Sequence, residues 1–125
     1  MDIGSIATKQ VLTVGPLHTL AETARKMYER RSGSAIVQSD DQNPGIITER
    51  DLLRAVAEGA DLDSAAVEDY MTANAISGSS SWDAEKAARL MIEHGFRHLL
   101  VIGEAGQIEG ILSIRDLTKA FLEES

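Results

Sequence analysis

The stretch Gly45–Asp51 reads GIITERD, and Gly110–Asp116 repeats it as GILSIRD. Both contain a glycine, two aliphatic residues, a Thr or Ser, one variable residue and an Arg–Asp pair. Consecutive aliphatic residues are typical of a strand, and a Thr or Ser followed three residues later by an acid is typical of a helix start. The duplicated stretch therefore predicts a strand that leads directly into a helix, once in each half of the chain.

The repeat extends outward from these stretches over almost the whole chain. Residues 19–27, TLAETARKM, match residues 83–91, DAEKAARLM. The segments in front also correspond, since IGSIAT at 3–8 matches VEDYMT at 67–72. We call these two segments the first and the second lead-in. We therefore predict a first repeat over residues 1–64, with its lead-in and linker, and a second repeat over residues 65–125.

Hydrophobic periodicity gives each copy the order strand–helix–strand–strand–helix. The predicted strands are Val11–Val14, Ala35–Val37, Gly45–Ile47, Leu99–Ile102 and Ile108–Leu112. One helix is expected after Thr19, which forms a capping box with Glu22, and another after Asp83. Their predicted apolar faces are Leu20, Ala21, Ala24, Met27 and Tyr28 in the first and Ala84, Ala87, Ala88, Met91 and Ile92 in the second. Asp40–Pro44 is expected to form the turn between two strands.

A unit of about 60 residues buries too little apolar surface to be stable alone. We therefore expect an α+β fold in which two βαββα repeats pack sheet to sheet about a pseudo-twofold axis. Such packing would create two equivalent clefts between the copies. Binding sites favour interfaces between structural units, so a ligand is expected there.

The composition narrows the classes of function. The 125 residues are 43% hydrophobic and 26% charged, which is typical of a globular domain. The net charge of −8 argues against binding along a nucleic-acid backbone. The absence of cysteine excludes disulfides and thiol nucleophiles. No apolar run approaches the ~20 residues of a membrane span, and Met1–Gly4 does not begin a signal peptide, so we expect a cytoplasmic location.

No pattern typical of catalysis or metal binding is recognisable. His18, His94 and His98 have no metal-ligand spacing with one another or with acidic residues. No nucleophile and base occur in a known catalytic order, and nothing in the sequence brings two carboxylates together for acid–base work. We therefore expect a non-catalytic protein that requires no metal.

The duplicated stretch has two interpretations. A helix N-terminus attracts phosphate, a hydroxyl can contact a sugar, and a carboxylate in the first turn can accept from both ribose hydroxyls. The arginine adds donors suited to phosphate. The same Thr-x-x-Asp or Ser-x-x-Asp spacing is also a capping box, which contributes about 1 kcal/mol to stability and needs no ligand.

The ordered set of motifs resembles a tandem pair of cystathionine β-synthase (CBS) domains, a Bateman module. The resemblance is carried by Met71–Thr72, by the helix at Thr19–Met27, and by the stretches Gly45–Asp51 and Gly110–Asp116. It implies a βαββα unit paired through its sheets and dimerised again, so that a homodimer is expected. It also implies that AMP, ADP, ATP or S-adenosylmethionine binds in the clefts and that the protein regulates a partner.

The resemblance further implies roles for individual residues. Asp51 and Asp116 would hold ribose hydroxyls, and each would work with the lead-in strand of the other copy, Met71–Ile76 for Asp51 and Ala7–Val11 for Asp116. The remaining candidate binding residues are Thr48 and Ser113 for ribose or phosphate, Arg50, Arg115, Arg97 and His98 for phosphate, Gly45 and Gly110 for close backbone approach, and Thr8, Val11, Thr72 and Ala75 from the lead-in regions.

The two copies differ near these motifs. Gly33 and Ser34 replace Arg97 and His98 in the first copy, and Glu49 adds a negative charge beside its motif. We therefore expect the Asp116 site to bind ligand better than the Asp51 site. Two functions remain open: a regulatory module that binds an adenosyl ligand, and a dimerisation or protein-interaction module whose clefts are vestigial. A weaker third possibility is an enzyme subunit that uses the pair as a scaffold.

Overall fold

The computed structural model describes residues 1–124, which form two compact units. Val11–Ala75 form one, and Met1–Gln10 together with residues 76–124 form the other. We call them the first-repeat unit and the second-repeat unit. Each contains one three-stranded sheet and the helices that pack on it, which confirms the α+β class.

The first-repeat unit follows the predicted order of elements. Its elements are β1 (Thr13–Val14), α2 (Leu20–Arg30), β2 (Ser34–Ser39), β3 (Gln42–Thr48) and α3 (Glu49–Ala57), and a helix α1 (Ile3–Ile6) precedes them in the chain. The sheet order is β1-β2-β3, with β1 parallel and β3 antiparallel to the central β2. This order places the end of β3, where the GIITERD stretch turns into α3, at the edge of the sheet.

The second-repeat unit has the same topology. Its elements are β4 (Ser77–Ser79), α4 (Ala84–His94), β5 (His98–Ile102), β6 (Ile108–Ser113) and α5 (Ile114–Glu124). β5 lies in the centre, parallel to β4 and antiparallel to β6. The βαββα order predicted for each copy is confirmed.

Each unit has a core formed by its sheet and helices. The cores are made of aliphatic residues, including Met27, Ile47 and Val67 in the first-repeat unit and Met91, Leu99 and Leu112 in the second. The two methionines are 3% and 1% exposed, as their helical spacing predicts. Apolar burial of this kind is the main favourable term in folding.

The lead-ins complete the cores crosswise. Ile3 of the first lead-in is fully buried in the second-repeat unit, and Val67 of the second lead-in is fully buried in the first-repeat unit. The compact units therefore have different bounds from the sequence repeats at 1–64 and 65–125. Each strand–helix junction is built with the lead-in that belongs, in sequence, to the other copy.

Local details differ from the predictions. The turn before β3 is confined to Asp40 and Asp41, because the strand already begins at Gln42. Tyr28 and Ile92, placed by periodicity on apolar faces, are 86% and 77% exposed, so this assignment is wrong for both. In residues 1–124 no helix is long and apolar enough to cross a membrane.

Candidate functional site

The first junction is the point where β3 ends and α3 begins. Thr48 is the N-cap in an extended conformation, and its hydroxyl accepts from the Asp51 N–H at 3.4 Å. Asp51 reciprocates, since its carboxylate accepts from the Thr48 N–H at 2.8 Å and from the Thr48 hydroxyl at 3.1 Å. The capping box predicted from the sequence is therefore formed. Its geometry leaves the Asp51 side chain 18% exposed at the mouth of the junction.

The second junction, between β6 and α5, repeats this geometry. The Asp116 carboxylate accepts from the Ser113 N–H at 2.9 Å, and the Ser113 hydroxyl accepts from the Asp116 N–H at 3.1 Å. The Thr8 hydroxyl of the first lead-in also donates to Asp116, at 3.3 Å from Oδ1. The carboxylate thus holds the helix start and the lead-in together.

Both lead-ins run along the last strand of the unit in which they lie. Thr8 and Ile111 exchange two backbone hydrogen bonds of 2.9 and 3.0 Å. Ile46 and Thr72 exchange an equivalent pair of 3.0 and 2.9 Å. The lead-in backbone therefore forms one wall beside each carboxylate, as a β-bridge to the strand that carries the motif.

The motif glycines make this approach possible. A Cβ on Gly45 would lie 2.7 Å from the Thr72 carbonyl oxygen, and a Cβ on Gly110 would collide with the Thr8 carbonyl. Both glycines are buried beneath the lead-in backbone. Their close approach is to the protein's own chain, which accounts for the recurrence of glycine at this point in both copies.

The other candidate residues lie at several different places in the fold. Arg50 and Arg115 lie exposed in the first turns of α3 and α5, next to the two carboxylates, and Arg97 lies exposed just before β5. Ala75 stays with the first junction, because its N–H donates to the Pro44 carbonyl at 3.1 Å. Val11 lies in the first-repeat unit, whereas Asp116 lies in the second-repeat unit. His98 begins β5 and is half-buried.

Arg54 is a site residue that the sequence reasoning missed. Its guanidinium lies 4.0 Å from the Asp51 carboxylate and 3.6 Å from that of Glu58. It also donates to the Tyr70 carbonyl at 3.0 Å and lies over the Tyr70 ring. The spacing of three residues from Asp51 on a helix was the signal available, because side chains at i and i+3 are neighbours. Arg54 ties α3 to the segment of the second lead-in.

Each junction therefore combines a half-buried carboxylate, a hydroxyl, an adjacent arginine and a wall of backbone. A carboxylate that accepts two or three hydrogen bonds still has lone-pair directions free for a sugar hydroxyl. A neighbouring exposed arginine can reach an anion. Among residues 1–124, no group of three acidic, histidine or cysteine side chains could hold a metal ion.

The sequence also matches a known family over both halves. A family model described as CBS domain matches residues 3–58 and again residues 67–123. Because these matches cover most of the chain, the chain belongs to the CBS domain family, and it is a CBS-pair regulatory module. The resemblance inferred from the motifs is confirmed.

Individual proteins of the family are similar along most of the chain. An uncharacterized 17.7 kDa protein of Acidianus ambivalens is 42% identical over 122 residues, which are 97% of this chain and 73% of that protein. A CBS domain protein from Pyrobaculum aerophilum, solved in complex with AMP, is 29% identical with a TM-score of 0.86, over 99% of this chain and 97% of the other.

A second similar structure is that of an oligomeric protein. The hexameric CBS-CP12 protein from bloom-forming cyanobacteria is 26% identical with a TM-score of 0.88, over 94% of this chain and 66% of the other. The chain spans 61% to 78% of the length of three curated relatives that it matches.

Proposed function

We propose that this CBS pair is a non-catalytic sensor that binds an adenosyl ligand, namely AMP, ADP, ATP or S-adenosylmethionine, at its strand–helix junctions. The observation that carries the proposal is the duplicated junction itself. In both units a half-buried carboxylate lies at a helix start, beside lead-in backbone and next to an exposed arginine. A capping box accounts for the carboxylate and the hydroxyl, but it requires neither the arginine nor the lead-in wall.

The similarity to the AMP complex from Pyrobaculum aerophilum supports an adenosyl ligand. In the proposed binding mode, Asp51 and Asp116 accept hydrogen bonds from the ribose hydroxyls, which is the chemistry of acidic residues in dinucleotide folds. Backbone groups of the lead-ins would face the base. Each lead-in belongs to one copy in sequence and contacts the other. A ligand that binds better to one arrangement of the lead-in would therefore shift the chain toward the conformation with that arrangement. A partner protein that distinguishes the two conformations would detect the shift.

Thermal melting with each of the four ligands tests this proposal. A ligand that binds only the native state raises Tm, and the rise grows with concentration. Asp51→Ala and Asp116→Ala should each reduce the rise, and together they should abolish it. Both variants also lose the carboxylate half of a capping box, so Thr19→Ala, which removes the N-cap hydroxyl of α2, is the control for weakened helix capping. Thr19→Ala should lower the basal Tm and leave the ligand-induced rise unchanged.

A second function is favoured by a different observation. Both carboxylates already accept hydrogen bonds from their own helix caps, so the junctions are complete as structural elements. A module with vestigial sites would assemble with other chains without a ligand. If none of the four ligands raises Tm or copurifies as adenylate absorbance, this function replaces the first.

We further propose that the chain forms a homodimer through its helices. Tyr28 on α2 and Ile92 on α4 occupy matching positions and are 86% and 77% exposed, and Leu122 on α5 is 70% exposed. An interface that covered these side chains would remove apolar surface from water, which favours association, and the similar cyanobacterial protein is hexameric. Light scattering should give twice the mass of the chain, and Tyr28→Ser with Ile92→Ser should shift the protein toward the monomer.

A further inference from the structure

Three of the charge differences between the two junctions lie at the strand end, the helix start and the lead-in, and all three run in the same direction. Lys9 after the first lead-in matches Ala73 after the second. Arg97 before β5 matches Gly33 before β2, and Ile114 at the start of α5 matches Glu49 at the start of α3. The second junction therefore carries two cations that the first junction lacks, and the first carries one anion that the second lacks.

The structure brings all three positions to the junctions. The Glu49 N–H donates to the Gly33 carbonyl at 2.9 Å, and the Ile114 N–H donates to the Arg97 carbonyl at 3.1 Å. The Cα of Lys9 lies 3.3 Å from the point where a Cβ on Gly110 would be. The charge differences therefore lie at the strand end, the helix start and the lead-in that together form each junction.

The Glu49 carboxylate takes the place that a side chain at position 33 would occupy. A Cβ on Gly33 would lie 3.4 Å from the Cδ and from one carboxylate oxygen of Glu49. Within the part of the chain that the structure describes, Glu49 makes no ion pair, although Arg50 is its neighbour in sequence and Arg31 comes two residues before its hydrogen-bond partner Gly33. Its charge is therefore not neutralised by a close partner.

The remaining charges do not remove the difference. Arg50 and Arg115 match each other, as do Asp51 and Asp116. Arg54, the sixth residue of α3, matches Lys119, the sixth residue of α5. Glu68 and Asp69 of the second lead-in match Gly4 and Ser5, which adds negative charge on the side of the first junction, and Arg31, which matches Gly95, offsets one of these charges. The balance of unmatched charges is therefore negative at the first junction and positive at the second, and it decides which junction tolerates a ligand of high negative charge.

We propose that the second junction is selective for an adenosyl polyphosphate, and that the first junction is selective for an adenosyl ligand with one phosphate or none. This inference rests on the proposed function and adds to it the phosphate number at each junction. Opposite charges in partly exposed sites attract, and like charges repel, strongly enough to change affinity by about tenfold per nearby charge.

The test is calorimetric titration with ATP and with AMP, in EDTA so that no divalent cation masks the phosphates. Asp51→Ala leaves the second junction to report, and this variant should bind ATP at least about tenfold more tightly than AMP. Asp116→Ala leaves the first junction, which should bind AMP at least about tenfold more tightly than ATP. Melting curves establish that both variants are folded, and Asp→Asn at the same positions, which retains a cap acceptor, replaces either one that is not.

Exchange of single charges then identifies the selective residue. In the Asp116→Ala background, Glu49→Ile should raise ATP affinity about tenfold, whereas Glu29→Ile, which removes an exposed charge of α2, should not. Raising the salt concentration should reduce the difference between the ATP and AMP affinities at both junctions, because salt screens the charges. Equal ATP-to-AMP ratios at the two junctions would overturn this inference alone. Failure of the unmutated chain to bind either nucleotide or S-adenosylmethionine would overturn the proposed function with it.

Discussion

Replacing Gly110 by alanine tests whether the lead-in is held by the close approach at the second junction. The new Cβ would collide with the Thr8 carbonyl oxygen and lie 3.0 Å from its carbon and 3.3 Å from the Cα of Lys9. All of these atoms are backbone, so no side chain can rotate away to relieve the contact. The first lead-in must therefore withdraw from β6.

The cost can be worked from the contacts that withdrawal breaks. Thr8 and Ile111 lose two backbone hydrogen bonds, each with a net worth of about 0.5–1.5 kcal/mol. Full release of the lead-in would also break the hydrogen bonds from the Ile3 and Gly4 amides to the Trp82 and Ser80 carbonyls, at about 0.5–1.5 kcal/mol each, and expose the completely buried Ile3, at a further ~1.5–3 kcal/mol. Restriction of the unfolded chain by alanine offsets about 0.4–1 kcal/mol. We expect a net loss of about 1–2 kcal/mol for local withdrawal and about 3–8 kcal/mol for full release.

Urea denaturation followed by circular dichroism measures this loss. Hydrogen exchange at the Thr8 and Ile111 amides shows where it arises, because both amides should lose protection. Gly15→Ala is the matched control, since the atom nearest to its Cβ would be a His18 side-chain carbon at 4.0 Å. If Gly110→Ala were as stable as Gly15→Ala and kept both amides protected, the role assigned to the lead-in contact would be refuted.

Three further changes have defined outcomes. Gly45→Ala should cost less than Gly110→Ala in the same urea assay, because its closest contact, with the Thr72 carbonyl oxygen, is less severe at 2.7 Å. Thr23→Val should raise the free energy of unfolding by about 1 kcal/mol, since the Thr23 hydroxyl is buried and has no hydrogen-bond partner in the described structure; a lower midpoint would show that the hydroxyl is satisfied. Thr8→Val should change stability by less than about 1 kcal/mol in the same urea assay, because its 3.3 Å bond to Asp116 is exposed.

The helix starts could be predicted from the sequence because their stabilising contacts are local. Thr48 and Asp51 are three residues apart, and so are Ser113 and Asp116, so the side chains that cap each helix stand in the motif itself. The duplication supported the predicted order of strands and helices along the chain, because both copies show the same pattern. These features need no information about distant parts of the chain.

Features that depend on contacts between distant parts of the chain were harder to predict from the sequence. Tyr28 has helical spacing with Leu20 and Met27, but the sheet covers only the face that carries Leu20, Thr23 and Met27, which leaves Tyr28 exposed. Thr23 is polar but completely buried, so its hydrophobicity alone does not predict that it lies in the core. The docking of each lead-in on the other copy came from the family resemblance, because no local pattern identifies partners as distant as Thr8 and Ile111, or Ile46 and Thr72.

The crossed lead-ins also bear on how such a chain could have originated. A polypeptide with one repeat has one lead-in, and the connectivity seen here sends that segment to a different copy. Two such polypeptides would have exchanged their segments reciprocally, as a domain-swapped dimer. In the two-repeat chain the same exchange is intramolecular, and Val11–Ala75 form one continuous unit. Cleavage after Ala75 should therefore spare the core of this unit. Cleavage at the sequence boundary after Ser64 would separate the unit from the segment whose Val67 is buried in that core.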